Sequence, residues 1–291
     1  MKLFAFGLGY SALHFINRYG ELFDEVAGTV RSTDKVGELR HTSAHPLIFA
    51  PDYEDPAIAE HLKTANALII SIPPGTSADP VLARFGRQLS GLRHPLKIIY
   101  LSTIGVYGDR QGEWVDETRL PTPSNPRSVT RLQAEKAWAA LGKDAGKATH
   151  ILRLAGIYGP ERNALANLKA GKAKRIVKPD QVFNRIHVDD VALSIASALM
   201  YEGKSQIWNV SDDEPAPPQD VVTYAASLMG ITPPPEQDID AADLTPMARS
   251  FYAENKRAAN HKLKTDLGVT LTFPTYREGL QALWAAGEGR D

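Results

Sequence analysis

The 291-residue chain contains no cysteine. That excludes disulfides, thiolate metal ligands and cysteine nucleophiles, and it removes any sign of an oxidising compartment. An excess of charge is missing too: 33 Lys and Arg stand against 34 Asp and Glu, for a formal net charge of -1, so there is no basic footprint for nucleic acid. No uninterrupted apolar run approaches the roughly 20 residues that span a bilayer. The apolar run at the N-terminus is short and broken by glycine, with no convincing cleavage site after it, and reads as a first strand rather than a signal peptide. Heptad seams, internal repeats and low-complexity tracts do not occur. These absences leave a soluble, cytoplasmic protein as the expectation, with a small molecule as partner and neither nucleic acid nor membrane. The length suits one large domain or two smaller ones.

What is there begins at the first residues. Lys2-Leu3-Phe4-Ala5-Phe6 runs into Gly7-Leu8-Gly9, and from Ser11 a helical spacing follows, with Leu13, Ile16 and Tyr19 on one face between Ala12 and Tyr19. This is strand, tight turn, helix. Gly7 takes the backbone angles of the turn, Gly9 leaves room for phosphates, and the small Ala12 lets helix pack close to strand. The free N–H groups of the helix start, around Tyr10 and Ser11, then face an anion such as a dinucleotide pyrophosphate.

Glu25–Val30 is a second strand, and Arg31-Ser32 follows it where an acidic residue would hold a ribose 2'-hydroxyl. No carboxylate comes before Asp34, and the planar fork of an arginine suits a 2'-phosphate, so NADP is expected over NAD. Pro46–Phe49 is a third strand with Asp52 beyond it, placed to meet the adenine edge. The near-continuous apolar runs Ala67–Ile72, ending at Pro73, and Lys97–Leu101 are of the kind buried on both faces of a parallel sheet. Ile72 and Pro73 then line the cofactor crevice. Strands alternating with helical segments at this spacing predict an α/β fold, a doubly wound parallel sheet.

Four stretches are similar to those of one family. Leu101-Ser102-Thr103-Ile104-Gly105-Val106-Tyr107-Gly108 resembles the SS-x-x-VYG stretch of the extended short-chain dehydrogenase/reductases, the group of sugar-nucleotide epimerases and dehydratases. Arg153 to Pro160 resembles their R-x-x-x-x-YGP, and Ile186-His187-Val188-Asp189-Asp190-Val191-Ala192 their hHVDDvA. With the N-terminal turn, these motifs cover residues 1 to 212 in register. Farther on, Lys256-Arg257-Ala258-Ala259-Asn260 with Leu263, Leu267 and Gly268 resembles a C-terminal family segment. The resemblance implies an NAD(P)-binding Rossmann domain, residues 1–160 plus about 181–212, and a smaller C-terminal substrate-capping lobe, about 161–180 plus 213–291. Because members are often dimers, it also points to a homodimer.

The family's chemistry uses a Tyr and a Lys four residues later on one helix, with a Ser or Thr at the end of the preceding strand. Thr103 matches the Ser/Thr. Anchored on Glu135, the helix places Arg127 at the Tyr position and Arg131 at the Lys position. An arginine keeps its proton at neutral pH, so neither replaces the tyrosine as acid or base. Arg131 is expected to bind ribose and Arg127 to clamp a substrate anion; the alternative is a solvated pair with Glu135 bridging Arg131. Tyr107 and Tyr158 are further proton carriers to weigh. This pattern resembles the atypical branch of the family, which keeps the cofactor fold and loses most of the active-site residues.

In the second lobe, Tyr158, Arg162, Asn163 and Arg185 are expected to face substrate, while Phe183 stands where many sugar-nucleotide members carry a diphosphate-gripping arginine. Lys172, Lys174, Arg175 and Lys178 form either an anion site or a solvated rim. His187, Asp189 and Asp190 read as structural, with Asp189 capping the helix from Val191 to Met200, and no metal site is expected. Two functions follow: an NADP-dependent oxidoreductase or epimerase of atypical type acting on a small anionic or sugar-nucleotide-like substrate, or a non-catalytic NADP(H)-responsive regulatory protein.

Overall fold

The computed structural model describes residues 1–290. Its centre is an eight-stranded sheet built from β1 (Lys2–Phe6), β2 (Glu25–Val30), β3 (His45–Ala50), β4 (Tyr53–Glu54), β5 (Ala67–Ile70), β6 (Lys97–Thr103), β8 (Ala148–Leu154) and β12 (Ile207–Val210). The spatial order is β12-β8-β6-β5-β1-β2-β3-β4, parallel throughout except for the β3–β4 pair. Between the strands run α1 (Tyr10–Tyr19), α2 (Thr33–Glu38), α3 (Ala57–Thr64), α4 (Pro80–Gly91), α5 (Pro126–Ala145) and α7 (Val188–Met200).

The apolar runs are continuous because both sheet faces are covered. Along β1, Leu3 and Ala5 join the core under α1 and α7, whereas Phe4 and Phe6 join the core under α3, α4 and α5. The same two-residue alternation divides Ile69 from Ile70 and Ile99 from Tyr100. The first helix starts at Tyr10, two residues before Ala12, where its apolar spacing becomes visible.

A smaller lobe gathers β9 (Gly156–Tyr158), α6 (Ala164–Lys169), β10 (Arg175–Val177), β11 (Arg185–His187), α8 (Pro218–Met229), β13 (Glu236–Asp238), α9 (Pro246–Tyr252) and α11 (Tyr276–Ala285). Leu165, Val221, Ala225, Tyr276 and Leu280 form its core. Between α9 and α11 the chain goes back to the large domain. There β14 (Arg257–Ala258) pairs with β7 (Trp114–Val115), and α10 (His261–Leu267) with the loop beyond it sends Leu263, Val269 and Leu271 into the main core. Residues 257–271 thus pack apart from the lobe with which the sequence division groups them.

Two local expectations need correction. The cap of α7 is His187, whose Nδ1 accepts from the Asp189 N–H at 3.1 Å. Asp189 instead binds His14 and Arg18 on α1, and Asp190 accepts from the Thr272 and Phe273 N–H groups. Glu135 does not bridge Arg131; it faces inward and pairs with Arg153. The helical period of α5 turns Glu135 toward β6 and β8, where the complementary charge is buried.

Candidate functional site

The order of strands reverses between β1 and β5, so their C-terminal ends open a crevice. Gly7 lies at its base with φ +96°, a region that favours glycine, and a Cβ there would stand 2.6 Å from Ile72 Cγ2. Gly9 precedes α1 in extended conformation, no side chain caps the helix, and a Cβ on Gly9 would meet no atom within 4 Å. Uncapped N–H groups beside open space form a cradle that suits a pyrophosphate. Ala12 is fully buried and Ser11 nearly so. The Tyr10 hydroxyl donates to the Pro160 carbonyl at 3.0 Å, and burial pushes its pKa up to about 12.

The other residues expected to meet a dinucleotide lie along the same edge. Arg31 is exposed directly after β2, and the Ser32 hydroxyl accepts from the Lys35 N–H at the start of α2. Asp52 is exposed in the β3–β4 turn, and just after β5 Ile72 is half-buried and Pro73 exposed.

A cleft of about 670 Å³ lies between the end of β6, the start of α5 and the smaller lobe, with Thr103, Arg127, Arg131, Tyr158 and Arg185 in its walls. Thr103 Oγ1 accepts from the Gly105 N–H at 3.1 Å, which leaves its own hydroxyl proton free for a ligand oxygen. Arg127 donates to Ser250 Oγ at 3.2 Å and lies 5.8 Å from the Phe251 ring, so α9 rests on it. Arg131 reaches the Leu101 carbonyl at 2.9 Å and lies over the Tyr100 ring. Tyr158 packs on Gly279 of α11, where a Cβ would fall 2.0 Å from its hydroxyl, and burial raises its pKa.

Sequence reasoning missed one pair in this wall. Lys256 Nζ donates to Glu254 Oε2 at 2.7 Å, with the two side chains 7% and 10% exposed. The other carboxylate oxygen accepts from Ser124 Oγ at 2.5 Å and Asn125 Nδ2 at 3.0 Å. Burial opposes ionisation of Glu254, but its bonds to Lys256 and Ser124 outweigh that and hold the carboxyl below the usual range. Only the Lys256-Arg257 resemblance marked this stretch, because residues more than a hundred positions from Thr103 meet it solely through the fold. Tyr107, by contrast, is buried away from the cleft, its hydroxyl donating to Asn209 Oδ1 at 2.8 Å and accepting from Arg153 at 2.9 Å.

Arg162 and Asn163 do not line this cleft. Both border a separate cavity in the smaller lobe, and Asn163 is used locally: its Oδ1 accepts from the Ala166 N–H at 2.9 Å and its Nδ2 donates to the Gly159 carbonyl at 2.9 Å. Arg185 and Tyr158 border both spaces. The basic run is divided as well, with Arg175 paired to Glu236, and Lys174 and Lys178 donating to the Asp243 and Tyr252 carbonyls. Among the described residues, no group of three or more His, Asp or Glu has metal-binding geometry, and no helix is long and apolar enough to cross a membrane.

Residues 82–211 match the model of the NAD dependent epimerase/dehydratase family. Protein YeeZ of Escherichia coli (strain K12) is 30% identical over 245 residues, which cover 80% of this chain and 85% of that protein. A conserved protein of unknown function from Silicibacter pomeroyi has a structure that superposes with a TM-score of 0.87 at 43% identity over 99% of both chains. The UDP-glucuronic acid 4-epimerase of Bacillus cereus, solved with UDP-glucuronic acid and NAD, superposes with a TM-score of 0.77 at 20% identity over 98% of both chains, a likeness of fold.

Proposed function

The chain belongs to the NAD-dependent epimerase/dehydratase family of the extended short-chain dehydrogenase/reductases, and from that premise we propose that it is an NADP-dependent oxidoreductase or epimerase of atypical type. Its substrate is a small anion bearing a hydroxyl or carbonyl group, held in the cleft between the lobes. The observation that carries this reading is a bare helix start and a cationic cleft in the same fold. A bare, glycine-lined helix start opens at the sheet's switch point, and the wall of the cleft holds Arg127, Arg131, Arg185 and Lys256 against Glu254, the one carboxylate among its described residues.

Gly7, Gly9, Tyr10, Ser11 and Ala12 would hold the pyrophosphate, Arg31 and Ser32 the ribose phosphate, Asp52 the adenine edge, and Ile72, Pro73 and Arg131 the remainder. When bound, the cofactor supplies hydride exchange. Thr103 orients the substrate oxygen by donating its free hydroxyl proton. Arg127 binds the substrate charge, which requires it to leave Ser250 and Phe251. Lys256, already bonded to Glu254, supplies the ionisable group that Arg127 cannot be.

Fluorescence titration of the pure protein with NADPH and NADH tests the cofactor assignment. NADPH is expected to bind more tightly, and Arg31→Ala to weaken it roughly ten- to a hundredfold, the effect of losing hydrogen bonds to a charged group, with NADH unchanged. No binding of either would remove the premise, and an NADH preference that survives Arg31→Ala would remove the NADP reading. The second reading, an NADP(H)-responsive regulatory protein, is favoured by one observation: the Tyr and Lys positions of the family carry Arg127 and Arg131. Hydroxy and keto acids that leave nicotinamide absorbance unchanged at saturating cofactor would support it.

A further inference from the structure

The cavity behind Tyr158 and Arg185 has a volume of about 520 Å³, and the charged groups along its edge are four cations, Arg162, Lys172, Lys174 and Arg185, and one carboxylate, Glu161. Neutral groups alone engage three of them. Arg162 lies over the Tyr10 ring at 4.3 Å, Lys174 donates to the Asp243 carbonyl at 2.8 Å, and Arg185 donates to the Phe183 and Ala216 carbonyls at 2.9 and 3.1 Å. Among the described residues none of the four forms an ion pair. Elsewhere in the same lobe cations are matched: Arg175 with Glu236, Arg277 with Glu214.

In a chain of net charge -1, four cations against the one lining carboxylate, Glu161, leave an excess of positive charge around one concave space, with Asp212 acting on Arg185 alone. Like charges brought together at a partly desolvated surface repel one another, and an anion arriving among them relieves that repulsion. Two guanidinium forks and two ammonium groups approaching from different elements suit the several oxygens of a tetrahedral dianion better than a flat carboxylate. The opposite wall is apolar, formed by Val221, Val222 and Leu280 with the Tyr276 ring.

We propose that this cavity is a second ligand site, separate from the cleft, that binds a phosphate monoester with an apolar body. The phosphate lies among Arg162, Lys172, Lys174 and Arg185, and the apolar body against α8 and α11. Arg162 also lies on Tyr10 at the glycine turn, and Arg185 also borders the cleft, so a ligand here touches groups that belong to both other spaces.

Phenyl phosphate and inorganic phosphate serve as probes, titrated calorimetrically into the full chain at fixed ionic strength, with no cofactor needed. The wild type is expected to bind phenyl phosphate more tightly than inorganic phosphate. The Arg162→Ala/Lys172→Ala double variant, which alters two exposed side chains, is expected to lose at least about tenfold in affinity, while Arg127→Ala in the cleft leaves it unchanged. Absence of wild-type binding at millimolar phenyl phosphate overturns the proposal. So does full affinity in the double variant, equal weakening in both variants, which marks general charge attraction, or a loss confined to Arg127→Ala, which places the anion in the cleft. Equal affinity for the two probes overturns the apolar half of the site. None of these outcomes depends on the protein being an oxidoreductase.

Discussion

Replacement of Arg153 by methionine is expected to lower the folding free energy by about 3–5 kcal/mol, the usual cost of stranding one member of a buried ion pair. Arg153 Nη2 donates to Glu135 Oε2 at 2.8 Å and its Nε to Oε1 at 3.1 Å, with both side chains 3% exposed. Ser102 Oγ donates to the same carboxylate at 2.5 Å, and Arg153 Nη1 continues to Tyr107 and through it to Asn209. Removing the guanidinium leaves Glu135 charged in a dry interior and deprives the Tyr107 hydroxyl of its donor. The double replacement Glu135→Leu/Arg153→Met removes both charges and is expected to cost less than Arg153→Met alone. Urea unfolding of the three proteins measures the difference. A single variant within 1 kcal/mol of wild type would show that the pair is not desolvated.

Stability is expected to fall steeply as pH drops from about 6.5 to about 4. His150 is fully buried, and neither ring nitrogen has a hydrogen-bond partner among the described residues. Burial, reinforced by Lys97 and Lys262, holds its pKa at about 4, and burial does the same for His187 despite the opposing pull of Asp189. Above the unfolded value near 6.5 both states are neutral and the native state keeps its full advantage. Below it the unfolded chain takes up protons that the native chain refuses, so stability is lost down to the folded pKa, by roughly 3 kcal/mol for His150.

Asp212 acts with the opposite sign. Burial raises its carboxyl to about 8, so the native state holds a proton that the unfolded chain has released, and stability declines as pH rises toward 8. A stability maximum near pH 6.5 follows, measurable by denaturant midpoints across pH. His150→Phe is expected to flatten the acid limb and Asp212→Asn the alkaline one. An acid limb unchanged in His150→Phe would refute the assignment.

The sequence makes the large domain legible because its strands are buried on both faces, so that runs such as Glu25–Val30 and Ala67–Ile70 carry a signal needing no partner to read. The glycine turn is legible for a similar reason, since backbone conformation at Gly7 limits the residue type. Charge partners are not written locally. Glu135 could turn to Arg131 one helical turn away or to Arg153 across two strands, and only packing decides. The cap of α7 eluded the same reasoning, because an Asp ahead of an apolar helix has the right chemistry while Asp189 is already committed to α1. Lys256 and Glu254 reach the cleft through the return of the chain to the large domain, an event of tertiary structure with no local period.

That return has a consequence for synthesis. Because Leu263, Val269 and Leu271 fill the main core and Arg257–Ala258 pairs with Trp114–Val115, the large domain lacks part of its interior until residues 257–271 have left the ribosome. A fragment that stops at Asp212 is left with an open hydrophobic flank, and dissection of this protein into an autonomous dinucleotide-binding piece requires carrying residues 257–271 along with it.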